Sequence, residues 1–506
     1  MLPEAGIGLT YNFGLQSFLE ECLDHIDVLE VEPQSIWFRK NGDASNEVHG
    51  CPQLVMNEAE FERISRYQCR KLLHGIGYPV GGSIPPGDEQ IPLLQKMIKD
   101  WDVPWMSEHL SFNKVIAGNR QVNTGFLLPP LQTPEGVRVA AGSIRHMSAN
   151  LPIPLLIETG VNYLQRQRYE MEDGCFMASV VEAAGCGILL DLHNVLVNQK
   201  NGRQGVREFI RQIPPESVYE IHLAGGREYQ GYYLDAHAGL ISRELEDIAR
   251  EAIRMLPNVK AVFFEIFPTY LEAMDNRALC LEMDRIRRIW DQRGTRTISK
   301  RHGAPPAQPA PAERLDGSVP SAEEWENAVA ALILKKESDS PLYECLKADR
   351  GAGIMQDLLY SFRASMVVRS IPCCFRYLLI AFGKDHFESL LKDFFSGYYP
   401  EGFASVEALN FLEYLAGRPI DLKALPDLIR YESAVIRTAI DNTSRVLQFS
   451  VEPLTFLRAL AEKRLPAAFI DGEFELVIEG NTEGEGDTET SRPVSELDQY
   501  NPVFHN

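Results

Sequence analysis

An α/β fold is predicted, a (β/α)8 barrel of the TIM type followed by a mainly α-helical domain. Three observations predict it. Eight short apolar runs alternate with amphipathic stretches over about the first 290 of 506 residues. His74, His109, Glu158, Asp191, His222 and Glu265 stand at or near the C-terminal ends of six of those runs. A Pro/Ala-rich break then separates this half from one with helical periodicity.

The expected strands, in order, are GIGL (6–9), DVLEVE (27–32), KLLHG (71–75), VPWMSEH (103–109), IPLLIE (153–158), GILLDLHN (187–194), VYEIHL (218–223) and AVFFEIF (261–267). Each has the length of a buried parallel strand, and most are rich in Val, Ile, Leu or Phe. Helical spacing lies between them. Ile91, Leu94, Ile98 and Trp101 recur every three or four residues, as do Ile241, Leu245, Ile248, Ala252, Ile253 and Leu256. A doubly wound sheet is the alternative, but it usually opens with a glycine-rich phosphate loop, and no GxGxxG or Walker sequence occurs.

Residues 1–300 are thus expected to form the barrel and 301–319 a linker built around GAPPAQPAPAE (303–313). Residues 320–478 are expected to form the helical domain, and 479–506 (containing EGNTEGEGDTETSRP) a disordered acidic tail. The helical domain opens with a Ser321/Glu324 capping-box spacing. Helical stretches are expected near 354–370, 375–395, 405–416 and 425–448, with turn signals at Gly397, Gly417 and Pro419.

Composition narrows the function. A net charge of −21 opposes non-specific nucleic-acid binding. Nine scattered cysteines without a CxxC pair oppose a zinc finger and fit a reducing cytosol. The start, MLPEAGIGLTYN, does not read as a signal peptide, and no apolar run of about 18 residues suggests a membrane span. A cytoplasmic protein without membrane or nucleic-acid partners is expected.

The chemistry is expected at the strand ends. His74, His109 and His222 close three strands, and Glu158, Asp191 and Glu265 close three others. Asn194 follows Asp191, and Asp235 and His237 form a DxH pair beyond His222. In a barrel all of these converge on one mouth. Carboxylates crowded there repel one another, and bound cations remove the repulsion. Mixed imidazole and carboxylate ligation suits Fe, Mn or Zn. Eight or nine ligands exceed the needs of one ion, so two or three are expected, with Glu158 a plausible bridge. A purely structural polar network is the bland alternative.

In order and spacing, GIGLTYN, LEVEP (29–33), HGIGYPVGG (74–82), SEHLSF (107–112), IETG (157–160), DLHNVLVN (191–198), EIHLAGG (220–226), DAHAG (235–239) and FFEIFP (263–268) resemble the DUF692 proteins. These are the multinuclear non-heme iron-dependent oxidative enzymes (MNIO), which include the oxidase of methanobactin biosynthesis. The resemblance implies two or three irons, with a mixed-valent Fe(II)/Fe(III) pair, and O2 as co-substrate. It implies one metal site at Glu158, Asp191, His222 and Glu265, a second at His74 and His109 bridged by Glu158, and a third at Asn194, Asp235 and His237. His74, His109, Glu158, Asp191, His222 and Glu265 would carry catalysis. The sequence departs from the family at His193, often Asn, and around Glu32–Pro33. By strand alternation His193 could face the mouth and replace or supplement Asn194. Such enzymes modify ribosomally made (RiPP) precursor peptides, usually at cysteine, with a leader-binding partner protein. LPDLIRYESAVIRTAI (425–440) is similar to a helical segment of those partners, which implies enzyme and partner fused in one chain.

Three rivals stand beside this. An endonuclease IV-like zinc phosphodiesterase would use similar ligands, but the acidic charge opposes it. A sugar isomerase would want a Lys near the metals, and only Lys71, at the start of its strand, is near. A non-catalytic, metal-stabilised peptide-binding protein would need fewer ligands.

Overall fold

A computed structural model describes residues 2–40, 53–271, 274–294 and 319–480. The expected linker up to residue 318 and the acidic tail from 481 lie outside the described residues. The described chain divides into two compact units.

The first unit is a closed barrel of eight parallel strands: β1 (Gly6–Thr10), β2 (Val28–Val31), β3 (Arg70–Gly75), β4 (Met106–His109), β5 (Leu155–Glu158), β6 (Gly187–Asp191), β7 (Val218–Ala224) and β8 (Ala261–Glu265). Every expected apolar run supplies one of them. β1 closes the barrel against β8 with Gly6 beside Ala261 and Leu9 beside Phe264. Helices such as Ile91–Trp101 and Arg243–Ile253 cover the outside with the apolar faces predicted for them.

One boundary differs from expectation. The run 187–194 stops being a strand at Asp191, whose carboxylate accepts the Asn194 N–H at 2.8 Å and caps the helix Leu192–Lys200. His193 and Asn194 therefore belong to a first helical turn, and strand alternation does not govern where His193 points.

The domain boundary also differs. Residues 319–356 belong to the barrel unit, and residues 37–58 to the other. The helix Ala322–Ile333, with the expected capping box at Ser321 and Glu324, buries Trp325 completely. Trp325 Nε1 donates to Pro129 O at 2.9 Å, and the Glu326 carboxylate accepts the Ser83 N–H at 2.7 Å and its hydroxyl. Asp349 accepts the Gln165 N–H at 2.7 Å. Ser83, Pro129 and Gln165 all lie in loops that follow the C-terminal ends of barrel strands. The segment 319–356 is thus part of the wall around the barrel mouth, which periodicity alone did not reveal.

The second unit is mainly helical, with a core that includes Phe387, Leu391, Phe394, Phe411, Leu428 and Phe456. Its helices include Pro372–Phe382, Lys384–Gly397, Ala404–Ala416 and Leu425–Asp441, after the helix Arg350–Ser370 that begins in the first unit. The expected helix 375–395 is two, broken at Gly383, whose φ is +80°. The expected helix 425–448 ends at Asp441, because Asn442 takes a left-handed conformation (φ +55°). The chain then forms a strand, Arg445–Val451, paired antiparallel with Asp471–Ile478. Among the described residues no single helix is long and apolar enough to cross a membrane.

Candidate metal centre

Side chains alternate along each barrel strand, so residues two apart share the inner face. Register then decides which of them meet. His109 on β4 lies beside Glu158 on β5, and Asp191 on β6 beside His222 on β7. Ser107 lies beside His74. The result is a deep polar mouth in which Asp191 and His222 are fully buried and His74, Glu158 and Glu265 nearly so.

Glu158 is the hub. Its Oε2 lies 3.3 Å from His74 Nε2 and 2.7 Å from His109 Nε2. The opposite nitrogen of each ring is already engaged. His109 Nδ1 lies 2.9 Å from the Gly75 carbonyl, which can only accept, so Nδ1 carries the proton. His74 Nδ1 lies 2.8 Å from Ser107 Oγ, whose own proton points to Leu73 O at 3.5 Å. In the neutral tautomers that these contacts select, both Nε2 atoms present lone pairs to an anionic oxygen. Acceptors facing one another repel unless a proton or a metal cation stands between them.

The same condition recurs across the mouth. Glu158 Oε2, Asp191 Oδ2, Asn194 Oδ1, His222 Nδ1, Asp235 Oδ1 and both nitrogens of His193 are buried without a hydrogen-bond partner. Such orphans are rare in native proteins, and here they are nearly all ligand atoms of kinds that bind divalent metals. Four groupings bring ligand atoms within 4.8 Å of one another: His74–His109–Glu158, Glu158–Asp191–His222, Asp191–His237–Glu265 and Glu30–His222–Glu265. They share Glu158, Asp191, His222 and Glu265, as a multinuclear site requires. The donor set, imidazole and carboxylate without thiolate, fits metal ions of the kind that take mixed N/O ligands.

In the metal-free protein, burial and neighbouring charges set where the protons sit. Burial pushes the Asp191 carboxyl well above the usual range, reinforced by Glu158 and Glu265. Burial pushes the Glu158 carboxyl up as well, but the His109 and His74 imidazoles outweigh it and hold the group well below that range. His109 is disfavoured as a cation by burial, yet the facing Glu158 carries it to about 10. Burial dominates at His193, which falls to about 4 and so stays neutral.

All nine expected ligands lie in or at the mouth. Asp235 Oδ1 is 2.9 Å from His237 Nε2 and 3.5 Å from His193 Nε2. His237, held in a left-handed conformation (φ +45°), also reaches Glu265 Oε2 at 3.4 Å. Asn194 donates its side-chain amide to Glu158 Oε1 at 3.2 Å and Thr159 O at 3.1 Å, so it sits at the hub. Lys71 is buried but donates to Tyr67 O and Cys69 O, at the start of its strand.

Four polar groups of the mouth were not anticipated. Glu30, Glu220 and Thr10 are buried beside His222 and Glu265, and Glu32 is pushed up to about 7, chiefly by burial and then by Glu265. The signal was present. Glu30 and Glu32 on and just past β2, and Glu220 and His222 on β7, are two apart in otherwise apolar strands, so each pair shares the inner face. Looking only at strand ends passes over the layer beneath.

A family profile described as "RiPP precursor modification enzyme MbnB/TglH/ChrH" matches residues 4–290. A UPF0276 protein of Chromobacterium violaceum is 33% identical over 231 residues, covering 46% of this chain and 79% of that protein. A UPF0276 protein of Streptomyces avermitilis is 25% identical over 395 residues, covering 69% and 79%. Among solved structures, a D-psicose 3-epimerase aligns over 56% of this chain and 98% of its own at 13% identity, with a TM-score of 0.35.

Proposed function

We propose a function from one premise: this chain belongs to the MbnB/TglH/ChrH family of RiPP precursor modification enzymes. It acts as an iron-dependent oxidoreductase that uses O2 to modify a ribosomally made precursor peptide, at cysteine, in the cytoplasm. His74, His109 and Glu158 hold one ion, and Glu158, Asp191, His222 and Glu265 a second. Asp235 and His237, with Asn194 or His193, support a third. The helical unit, including 425–440, binds the precursor's leader.

The observation that carries the metal reading is the convergence of two Nε2 atoms on one carboxylate oxygen, Glu158 Oε2, within a group of buried ligand atoms without hydrogen-bond partners. Bound iron would supply the redox chemistry and the site for O2. The chain's own residues do the rest. The Gly75 carbonyl and Ser107 Oγ fix the tautomers of His109 and His74, so that both rings aim Nε2 at the same point. Glu158 would hold metal together with His74 and His109 on one side and Asp191 and His222 on the other. Val80 N–H donates to His109 O at 3.0 Å, and Gly81 N–H to Ser111 O at 2.8 Å. These bonds zip the loop after β3 to the one after β4, and Glu326 anchors that loop at Ser83. Phe263, beside His222, and Leu189, beside Glu158, are fully buried and keep bulk water from the floor.

The test is to incubate the iron-loaded full chain with cysteine-containing candidate precursor peptides, with and without O2, and to follow peptide mass and O2 consumption. A mass change at a cysteine that needs O2 is expected. The same product formed without O2 would overturn the oxidative reading.

A further inference from the structure

Three histidines in the mouth follow one pattern, and one of them differs in its acceptor. Each ring gives one nitrogen to a fixed acceptor and turns the other toward a carboxylate of the centre. For His109 the acceptor is the neutral Gly75 carbonyl, and for His74 the neutral Ser107 hydroxyl. For His222 it is a carboxylate: Nε2 lies 3.2 Å from Glu30 Oε1 in hydrogen-bonding geometry. The other nitrogen, Nδ1, lies 3.3 Å from Glu265 Oε1 and has no hydrogen-bond partner. Glu220 Oε1 is a more distant neighbour of Nε2, at 3.6 Å, and its other oxygen accepts Trp105 Nε1 at 2.8 Å.

Glu30 is itself held in place. It is fully buried, and its Oε2 accepts the Thr10 hydroxyl at 2.8 Å. Thr10 Oγ1 also lies 3.1 Å from Glu265 Oε1. His222, Glu30, Thr10 and Glu265 thus close a ring of polar contacts on the floor of the mouth.

We propose that Glu30 is a positioning residue. It takes the Nε2 proton of His222, commits Nδ1 to the metal, and makes the ion held by His222 the more electron-rich of the pair. A carboxylate acceptor raises the basicity of a ligating imidazole, which a carbonyl or hydroxyl does less. An electron-rich ligand favours the higher oxidation state, so the His222 ion has the lower reduction potential and the ion at His74 and His109 the higher one. An asymmetry built into the fold would then keep a two-iron centre at mixed valence. This rests on the iron reading above.

The test uses the full-length wild type and Glu30→Gln, loaded anaerobically with Fe(II). Iron per chain is measured together with the midpoint potentials from a spectroscopically monitored redox titration. Glu30→Gln keeps the shape and an accepting oxygen but removes the ionisable carboxyl. The expected result is an unchanged iron count and a positive shift in the potential of one ion, with the other unmoved. Thr10→Val, which frees Glu30 Oε2, is expected to shift the same ion to a smaller extent and serves if Glu30→Gln does not fold. Unchanged potentials at full iron content would overturn the positioning role alone. Loss of one whole iron would make Glu30 a direct ligand, which also overturns it. A wild type that takes up no iron would instead remove the metal reading itself.

Discussion

In the helical unit, buried carboxylates close on partners. Glu407 pairs with Arg363 at 2.7 Å and accepts the Glu401 N–H at 2.9 Å, and Glu432 caps the helix Pro372–Phe382 by accepting the Cys373 and Cys374 N–H groups at 2.6 and 3.0 Å. In the barrel mouth Glu158 is as deeply buried, yet its Oε2 faces two imidazole nitrogens whose opposite ring nitrogens are already engaged, and Asp191 Oδ2 has no hydrogen-bond partner. A buried carboxylate with its donors supplied is scaffold. One left among acceptors awaits a cation. Burial is equal in the two regions, and what surrounds the carboxylate separates them.

That contrast can be broken at either end. The largest effect is expected from Glu158→Ala, which removes the hub: at least one equivalent of metal is lost and turnover falls to background, as metal analysis and peptide mass would report. Full metal content in this variant would contradict the contrast. On the scaffold side, Glu407→Gln leaves the buried Arg363 charge unpaired, at a cost of about 3–5 kcal/mol. Denaturant unfolding should register this while metal per chain is unchanged. Glu326→Ala falls between the two. It removes the acceptor of the exposed Ser83 N–H, costing about 0.5–1.5 kcal/mol, and should loosen residues 76–83, seen as faster amide exchange, with a weakened hold on metal at His109.

The smallest expected effect is on pH dependence. In the metal-free protein burial opposes the His109 cation, but Glu158 lifts the group from its ordinary 6.5 to about 10. Its folded pKa thus lies above its unfolded one. The stability it adds is complete below about pH 6.5 and is lost as pH rises through about 10. A metal must displace that proton, so metal affinity should climb by about tenfold per pH unit through this window. A flat profile between pH 7 and 9 would place no proton between His109 and Glu158.

All eight strands were legible because apolar runs of buried-strand length alternated with helical spacing, and six carried a titratable group at the C-terminal end. The helix starting at Leu192 was hidden because Leu, Val and His continue the apolar run; only the capping position of Asp191 separates strand from helix. Glu30 and Glu220 were hidden because they sit one layer below the strand ends. The attachment of 319–356 to the barrel was beyond reach of periodicity, since an apolar helix face does not name its partner. Trp325 and Glu326 find theirs about 200 and 240 residues earlier in the chain, at Pro129 and Ser83.

The most direct test of the metal centre is elemental analysis of the full chain purified without oxygen, with Mössbauer spectroscopy on an iron-57-enriched sample. Two or more irons per chain, including a mixed-valent pair, are the predicted result. Stoichiometric zinc with negligible iron, or no bound metal at all, would contradict it.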